Sequence, residues 1–146
     1  MRMNKFMIYV FLSCVLFIIH ACNTNKPEPI TLNVDNCAFC KMTVADLRFG
    51  VELITDKGRV YKFDDFKCMM AYKKENAIER ATYYVTDYST PENMVKAEEA
   101  IYVTGAMVQS PMNGNVAAFS KQQEAAEFAT TKEAVITNWD ELSSKE

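Results

Sequence analysis

Histidine is all but missing from this chain of 146 residues: the single one is His20. The chain also has no long apolar run. The longest, from Phe6 to Ile19, falls short of the roughly 20 residues that a spanning helix needs. It is preceded by Arg2 and Lys5 and followed by Ala21-Cys22 and a polar stretch, Asn23 to Glu28. A basic start, a short apolar run and an abrupt polar boundary make up a secretory leader. The boundary itself resembles a lipobox, in which cleavage falls just before a cysteine whose thiol then carries a lipid. The expectation is therefore a leader over 1–21, acylation (palmitate among the acyl groups) at Cys22, and a tether over 22–33 with Pro27 and Pro29. Residues 34–146 then make one domain outside the cytoplasm, in a bacterial cell envelope.

Removal of the leader sharpens the absences. His20 goes with it, and with it any imidazole for general-base chemistry, proton shuttling or metal ligation. Cys14 goes too, and with Cys22 acylated the thiols left are Cys37, Cys40 and Cys68. Loss of Arg2 and Lys5 takes the 16 basic residues to 14 against 19 acidic ones, so the net charge moves from −3 to −5. An acidic chain of this kind has no electrostatic footprint for nucleic acid. About 125 residues suffice for one domain with a modest core.

What is present reads as short strands and two helices. Phe49–Thr55 and Arg59–Phe63 form a hairpin about Asp56-Lys57-Gly58. Asp64-Asp65 then offers an N-cap for a helix over Phe66–Glu75, and Thr82–Tyr88 follows as a strand. The plan recurs in Ala100–Gly105, Asn115–Phe119, a helix capped by Ser120 with Gln123 in capping-box spacing, and Ala134–Thr137. The fold class is α+β, built from two strand-strand-helix-strand (ββαβ) units, with Phe63-Asp64-Asp65 matched to Ala118-Phe119-Ser120. The tail from Trp139 adds a short helix.

The chemistry concentrates in Asn36-Cys37-Ala38-Phe39-Cys40-Lys41-Met42. A C-x-x-C pair outside the cytoplasm is a disulfide staple, a redox dithiol or a metal clamp. A redox dithiol wants its first cysteine at a helix N-terminus, and no good helix fits after Cys37. Zinc wants four ligands, and without histidine Asp64 or Asp65 has to complete the three cysteines. Met42 adds a soft donor: in an extended segment residues i and i+2 share a face, which sets Cys40 beside Met42. Thiolate and thioether together select copper(I). Met112, in the turn Ser110-Pro111-Met112-Asn113-Gly114, is the best third donor, with Met107 its competitor between site and core. Met69, Met70 and Met94 read as core fillers, and Cys68 as a small buried apolar group.

Taken together, these segments resemble the NosL family, the copper-binding accessory lipoproteins of nitrous oxide reductase maturation. The resemblance rests on Asp35–Met42, on Asp56-Lys57-Gly58 with Phe63-Asp64-Asp65 and Cys68-Met69, on Tyr102–Gly105 with Ser110-Pro111-Met112 and Ala118-Phe119, and on Glu124–Phe128. Lys41 stands where the family usually has glycine, and Asn113 separates Met112 from Gly114. The resemblance implies copper(I) held by Cys40, Met42 and Met112, with Cys37 and Cys68 as further candidates. It also implies a metallochaperone rather than an enzyme, with no catalytic residues. Its partners are a membrane and an exported apo-cuproprotein, nitrous oxide reductase or another. A thiol-disulfide oxidoreductase and a stapled structural lipoprotein are the competing classes.

The leader reading generates a first prediction. Cys22→Ala should release the exported protein from the membrane fraction, and the mass of the parent's N-terminus should show acyl chains on Cys22. Firm membrane retention of the variant with no acyl mass on the parent defeats the reading.

Overall fold

The computed structural model describes residues 26–144. The leader over 1–21 and Cys22 lie outside the described residues. Seven strands and three helices follow in the order β1 (Val51–Thr55), β2 (Val60–Phe63), α1 (Phe66–Glu75), β3 (Ala81–Asp87), β4 (Thr90–Lys96), β5 (Ile101–Thr104), β6 (Val116–Phe119), α2 (Gln122–Thr131), β7 (Val135–Thr137) and α3 (Trp139–Ser143). Two antiparallel sheets result, one ordered β2-β1-β3-β4 and the other β6-β5-β7. In each, the first strand of its unit is central and the strand after the helix returns to its free side. The architecture is α+β with two ββαβ units.

One strand, β4, was not expected. Its sequence, Thr90-Pro91-Glu92-Asn93-Met94-Val95-Lys96, lacks apolar alternation and carries a proline. Both features suit a strand with only one neighbour, where an absent N–H is tolerated. It pairs with β3 across an irregularity at Thr86 and Asp87.

The hairpin turn closes where Gly58 takes φ of +76°, and its N–H donates to the Thr55 carbonyl at 2.8 Å. The helix α1 begins as its sequence dictates. Asp65 is extended at the N-cap and its carboxylate accepts the Lys67 N–H at 2.8 Å, while Lys73 and Lys74 sit favourably in the last turn. The helix buries Phe66, Cys68, Met69 and Met70 against Val51, Leu53, Phe63, Tyr83 and Val85. Full burial of a side chain such as Leu53 or Met69 contributes about 1.5–3 kcal/mol. Aromatic contacts cross between units: Phe66 meets Tyr102 with ring centres 6.0 Å apart, and Tyr83 meets Trp139 at 5.0 Å.

The cap of α2 differs from expectation. Its N-cap is Lys121, with no side-chain cap, so the equivalence of the two units runs from Phe63-Asp64-Asp65 to Phe119-Ser120-Lys121. Ser120 is engaged elsewhere, because its hydroxyl and its N–H both donate to the Asp87 carboxylate at the end of β3.

Residues read as tether are fastened to the domain from Glu28 onward. The Glu28 N–H donates to both carboxylate oxygens of Glu52, at 3.0 and 3.1 Å. Lys62, opposite Glu52 in the β1–β2 register, donates to the Pro29 carbonyl at 2.8 Å and to Asp35 at 3.0 Å. A Cβ on Gly50 would stand 2.9 Å from Ile30 Cδ1, so this glycine admits the strap.

Glu52 is fully buried, and burial raises its carboxyl to about 7 against the pull of the Glu28 N–H and Lys62, with Glu28 and Asp35 pushing the same way as burial. A raised acid is held protonated by the fold. Its contribution to stability is complete below the unfolded value of about 4.5 and is lost as pH rises through about 7. The stability of the parent should therefore fall by up to roughly 1.4 kcal/mol per pH unit across that window from this residue. Glu52→Gln should remove this share of the slope in melts at pH 4.5 to 7.5, and an unchanged slope refutes the assignment.

Candidate metal centre

The segment before the first strand is built to present sulfur. Asn36 and Thr43 form an isolated antiparallel bridge, and within it the Cys37 N–H donates to the Met42 carbonyl at 2.8 Å while the Lys41 N–H returns to the Cys37 carbonyl at 3.0 Å. The Ala38 N–H donates to the Lys62 carbonyl at 2.8 Å, which pins the loop to the edge of β2. The reversal requires Lys41 at φ of +66°, the left-handed region. Glycine adopts it freely, and a side chain there costs about 1 kcal/mol. That is a physical reason for glycine to be usual at this position. In this chain the Lys41 ammonium also donates to the Ala38 carbonyl at 2.6 Å, bracing the loop from within.

The reversal corrects one expectation. Cys40-Lys41-Met42 is not extended, so the shared face of Cys40 and Met42 does not exist, and Met42 stands 59% exposed. Cys40 turns inward instead. One atom from each of Cys37, Cys40, Asp64 and Cys68 lies within 4.8 Å of all the others. Cys37 and Cys40 come from the loop, Asp64 from the β2–α1 junction, and Cys68 from the first turn of α1. Cys68 is buried in the core as expected, and its sulfur also faces this group, where it was named as a further candidate.

The other expected donors fall differently. Met112 is half-buried against the core that includes Cys37 and Cys68, and its N–H donates to Asp65 Oδ2 at 2.9 Å, which anchors it to the helix start next to Asp64. Met107 is 57% exposed, neither core nor cluster, because Val108 takes the buried place beside it. Met69 and Met70 are core residues.

The aspartate pair divides its work. Asp65 is saturated: its carboxylate accepts the Lys67 N–H, the Ser110 hydroxyl at 2.6 Å, the Met112 N–H and the Gly114 N–H. Asp64, 2% exposed, accepts weak bonds from thiols, that of Cys40 at 3.7 and 3.8 Å to its two oxygens and that of Cys37. Only one of two adjacent aspartates can cap a helix, and that is the signal in the sequence from which Asp64 could have been singled out.

Electrostatics set the state of the sulfurs. The three cysteines among the described residues, Cys37, Cys40 and Cys68, are free thiols. Burial raises Cys37 to about 11, against backbone hydrogen bonds that favour its thiolate. Burial also raises Cys68, with the charges of Cys37 and Asp64 adding to it. A cation placed among them reverses this balance, and the N-terminal end of α1 adds its own favourable field at Cys68. Four mixed donors at this spacing, three soft and one hard, can hold one metal ion. Cys37 is buried, raised in pKa and not at a helix N-terminus, so it is not the activated, accessible first thiolate of a redox dithiol.

Fold and cluster together define a small α+β protein with a cysteine-rich metal-ligand site. Residues 29–146 match the sequence profile of the NosL family, and the chain belongs to that family. Its fold is similar to that of the crystal structure of the copper chaperone NosL from Shewanella denitrificans, at a TM-score of 0.72 and 18% identity, over 83% of this chain and 98% of that one. No curated protein matches the chain.

The buried thiols generate a prediction for the metal-free protein. Iodoacetamide at pH 8 should modify half-buried Cys40 in the native state, and Cys37 and Cys68 only on unfolding, as read by peptide mass. Native labelling of all three at one rate contradicts the buried, protonated state.

Proposed function

We propose that this chain is a lipid-anchored, extracytoplasmic copper(I) carrier that supplies an exported apo-cuproprotein, nitrous oxide reductase or another. The observation that carries the reading is the convergence of three thiols in a chain that has no histidine after its leader. The relative from Shewanella denitrificans, named a copper chaperone, supports it. Thiolates are the donors copper(I) prefers, and the lack of imidazole withholds what copper(II) favours.

Cys40 is the pivot of the mechanism. It is the half-buried thiol of the three, and it belongs both to the cluster with Cys37 and Cys68 and to the set with Met42 and Met112 that the family resemblance implies. An arriving ion meets the exposed thioether of Met42 first and then the thiols, each of which gives up its proton as it binds. A three-coordinate ion leaves room for an acceptor ligand to add before a donor departs, so hand-off is fast although binding is tight. Acylation at Cys22 confines the exchange to a membrane surface: the six steps from Cys22 to the fastened Glu28 span at most about 20 Å.

The test is a copper(I) titration of the reduced full chain against a competing chelator. One ion should bind per chain, with affinity rising with pH because protons compete for the same sulfurs. Cys40→Ala should abolish most of the binding, whereas Met42→Ala with Met112→Ala should lower affinity by a smaller factor and leave the fold intact. Copper(I) binding that survives Cys40→Ala, or none in the parent, overturns the reading.

A further inference from the structure

The N-terminal strap shows which end of the domain faces its anchor. Ile30 lies over Gly50 and the Glu28 N–H meets Glu52, so the strap runs antiparallel to β1. Traced back from Ile30 to Glu28, it heads for the tip of the β1–β2 hairpin. That tip meets the far end of α1. Arg80 donates to Asp56 at 3.3 Å, and Lys57, Arg59 and Tyr61 line an open depression of about 700 Å³ together with residues 76–80. Lys73 and Lys74 border a neighbouring depression that shares Ala77, Ile78 and Glu79 with the first. Five basic residues, Lys57, Arg59, Lys73, Lys74 and Arg80, therefore gather at this end against three acidic ones, Asp56, Glu75 and Glu79. Their balance of +2 contrasts with −7 for the other nine basic and sixteen acidic residues that follow the leader. The dipole of α1 explains Lys73 and Lys74, but Lys57, Arg59 and Arg80 belong to the hairpin and to the approach to β3. Lys57, Arg59, Lys74 and Arg80 are exposed, and the Arg80–Asp56 pair is itself open to solvent, where such a pair is weak.

We propose that this basic end is the membrane-contact surface of the domain and lies against anionic phospholipid headgroups. The inference rests on the anchor at Cys22. The reach of at most about 20 Å from Cys22 to Glu28 keeps this end close to the bilayer. There each lysine or arginine is drawn to an anionic leaflet, and arginine grips a phosphate with two N–H groups. Both β2 and α1 run between this end and the sulfur cluster: Arg59 precedes β2 and Asp64 follows it, while Cys68 stands in the first turn of α1 and Lys74 in the last. The helix is roughly 15 Å long, about twice the Debye length of physiological salt. Contact at the basic end therefore turns the metal loop away from the lipid, toward an exchange partner, and sets the carboxylates of Asp64 and Asp65 beyond strong repulsion.

Lysine acetylation at low conversion, read by peptide mass, tests this on the parent protein bound to preformed phosphatidylcholine vesicles with and without phosphatidylglycerol. Phosphatidylglycerol should slow Lys57 and Lys74 about threefold or more at low salt, with recovery at about 0.5 M salt. Lys121 and the iodoacetamide rate of Cys40 should not change. Arg59→Gln with Arg80→Gln, at two exposed positions, should remove the protection of Lys57 and Lys74, with a thermal melt to show the fold intact. Equal acetylation on the two kinds of vesicle overturns the proposal and leaves the basic end to an acidic protein. Slowing of Lys41 and Cys40 in place of Lys57 and Lys74 overturns it by setting the metal loop on the lipid. The acyl mass on Cys22 is measured on the same sample. An acylated protein without the lysine protection defeats this proposal and not the anchor, whereas a protein that lacks acyl groups yet shows the protection defeats the anchor and sustains this proposal.

Discussion

The Asp65 carboxylate is the constraint on which the rest of the structure turns. It is 1% exposed and satisfied by four donors drawn from both units: the first turn of α1 and the loop between β5 and β6. A buried carboxylate in this state is stable because both of its oxygens are hydrogen-bonded and it sits at a helix N-terminus. The approach is so close that a Cβ on Gly114 would collide with Asp65 Oδ1, and glycine is required there. Removing the carboxylate would strand a buried hydroxyl and deprive three partly buried N–H groups of their partner, at up to about 1–3 kcal/mol each. By fixing where α1 begins, Asp65 also fixes where Asp64 and Cys68 stand.

Asp64 inherits the opposite condition. With the cap position taken, its side chain turns toward the loop, and the loop brings Cys37 and Cys40 to it. Burial favours the protonated thiols of Cys37 and Cys68, and protonated thiols neither repel one another nor repel the carboxylate. The metal-free site is thus tolerable at neutral pH although it gathers four potential anions. Ligation converts it in one event, as protons leave and a cation takes their place. The same burial that raises Cys37 keeps water and oxidants from the inner sulfurs, and leaves Cys40 as the point of exchange.

Much of this was legible in the sequence, and what was not has local causes. The β1–β2 hairpin and α1 follow from turn chemistry, a capping aspartate and apolar periodicity, and all appear where expected. The strand β4 was hidden because an edge strand tolerates proline and polar residues. Ser120 looked like a cap, but Asp87, distant in sequence, holds its hydroxyl. At the site, the C-x-x-C pair announced itself, while the neighbourhood of Met42 was misjudged by treating Cys40-Lys41-Met42 as extended. A left-handed lysine is rare enough that one sequence argues against it, and only the closed 36–43 loop reveals that the position demands it. Cys68 stood only as a further candidate because its place on the helix suits packing equally well.

The leading segment and the metal loop share one strand residue. Lys62 sends its side chain to Pro29 and Asp35, and its carbonyl accepts the Ala38 N–H between the two loop cysteines. Glu52 lies across from it in register and holds Glu28. A segment with no regular secondary structure is in this way held at several points along one edge, and its cysteine loop has little freedom to drift from α1. Preformed donors spare the ordering entropy that a flexible cysteine loop would lose on binding an ion. The half-exposed position of Cys40 leaves an approach for an incoming ligand. Rigid inner donors with one accessible sulfur reconcile firm holding with ready exchange, because exchange then needs one donor to move rather than the fold to open.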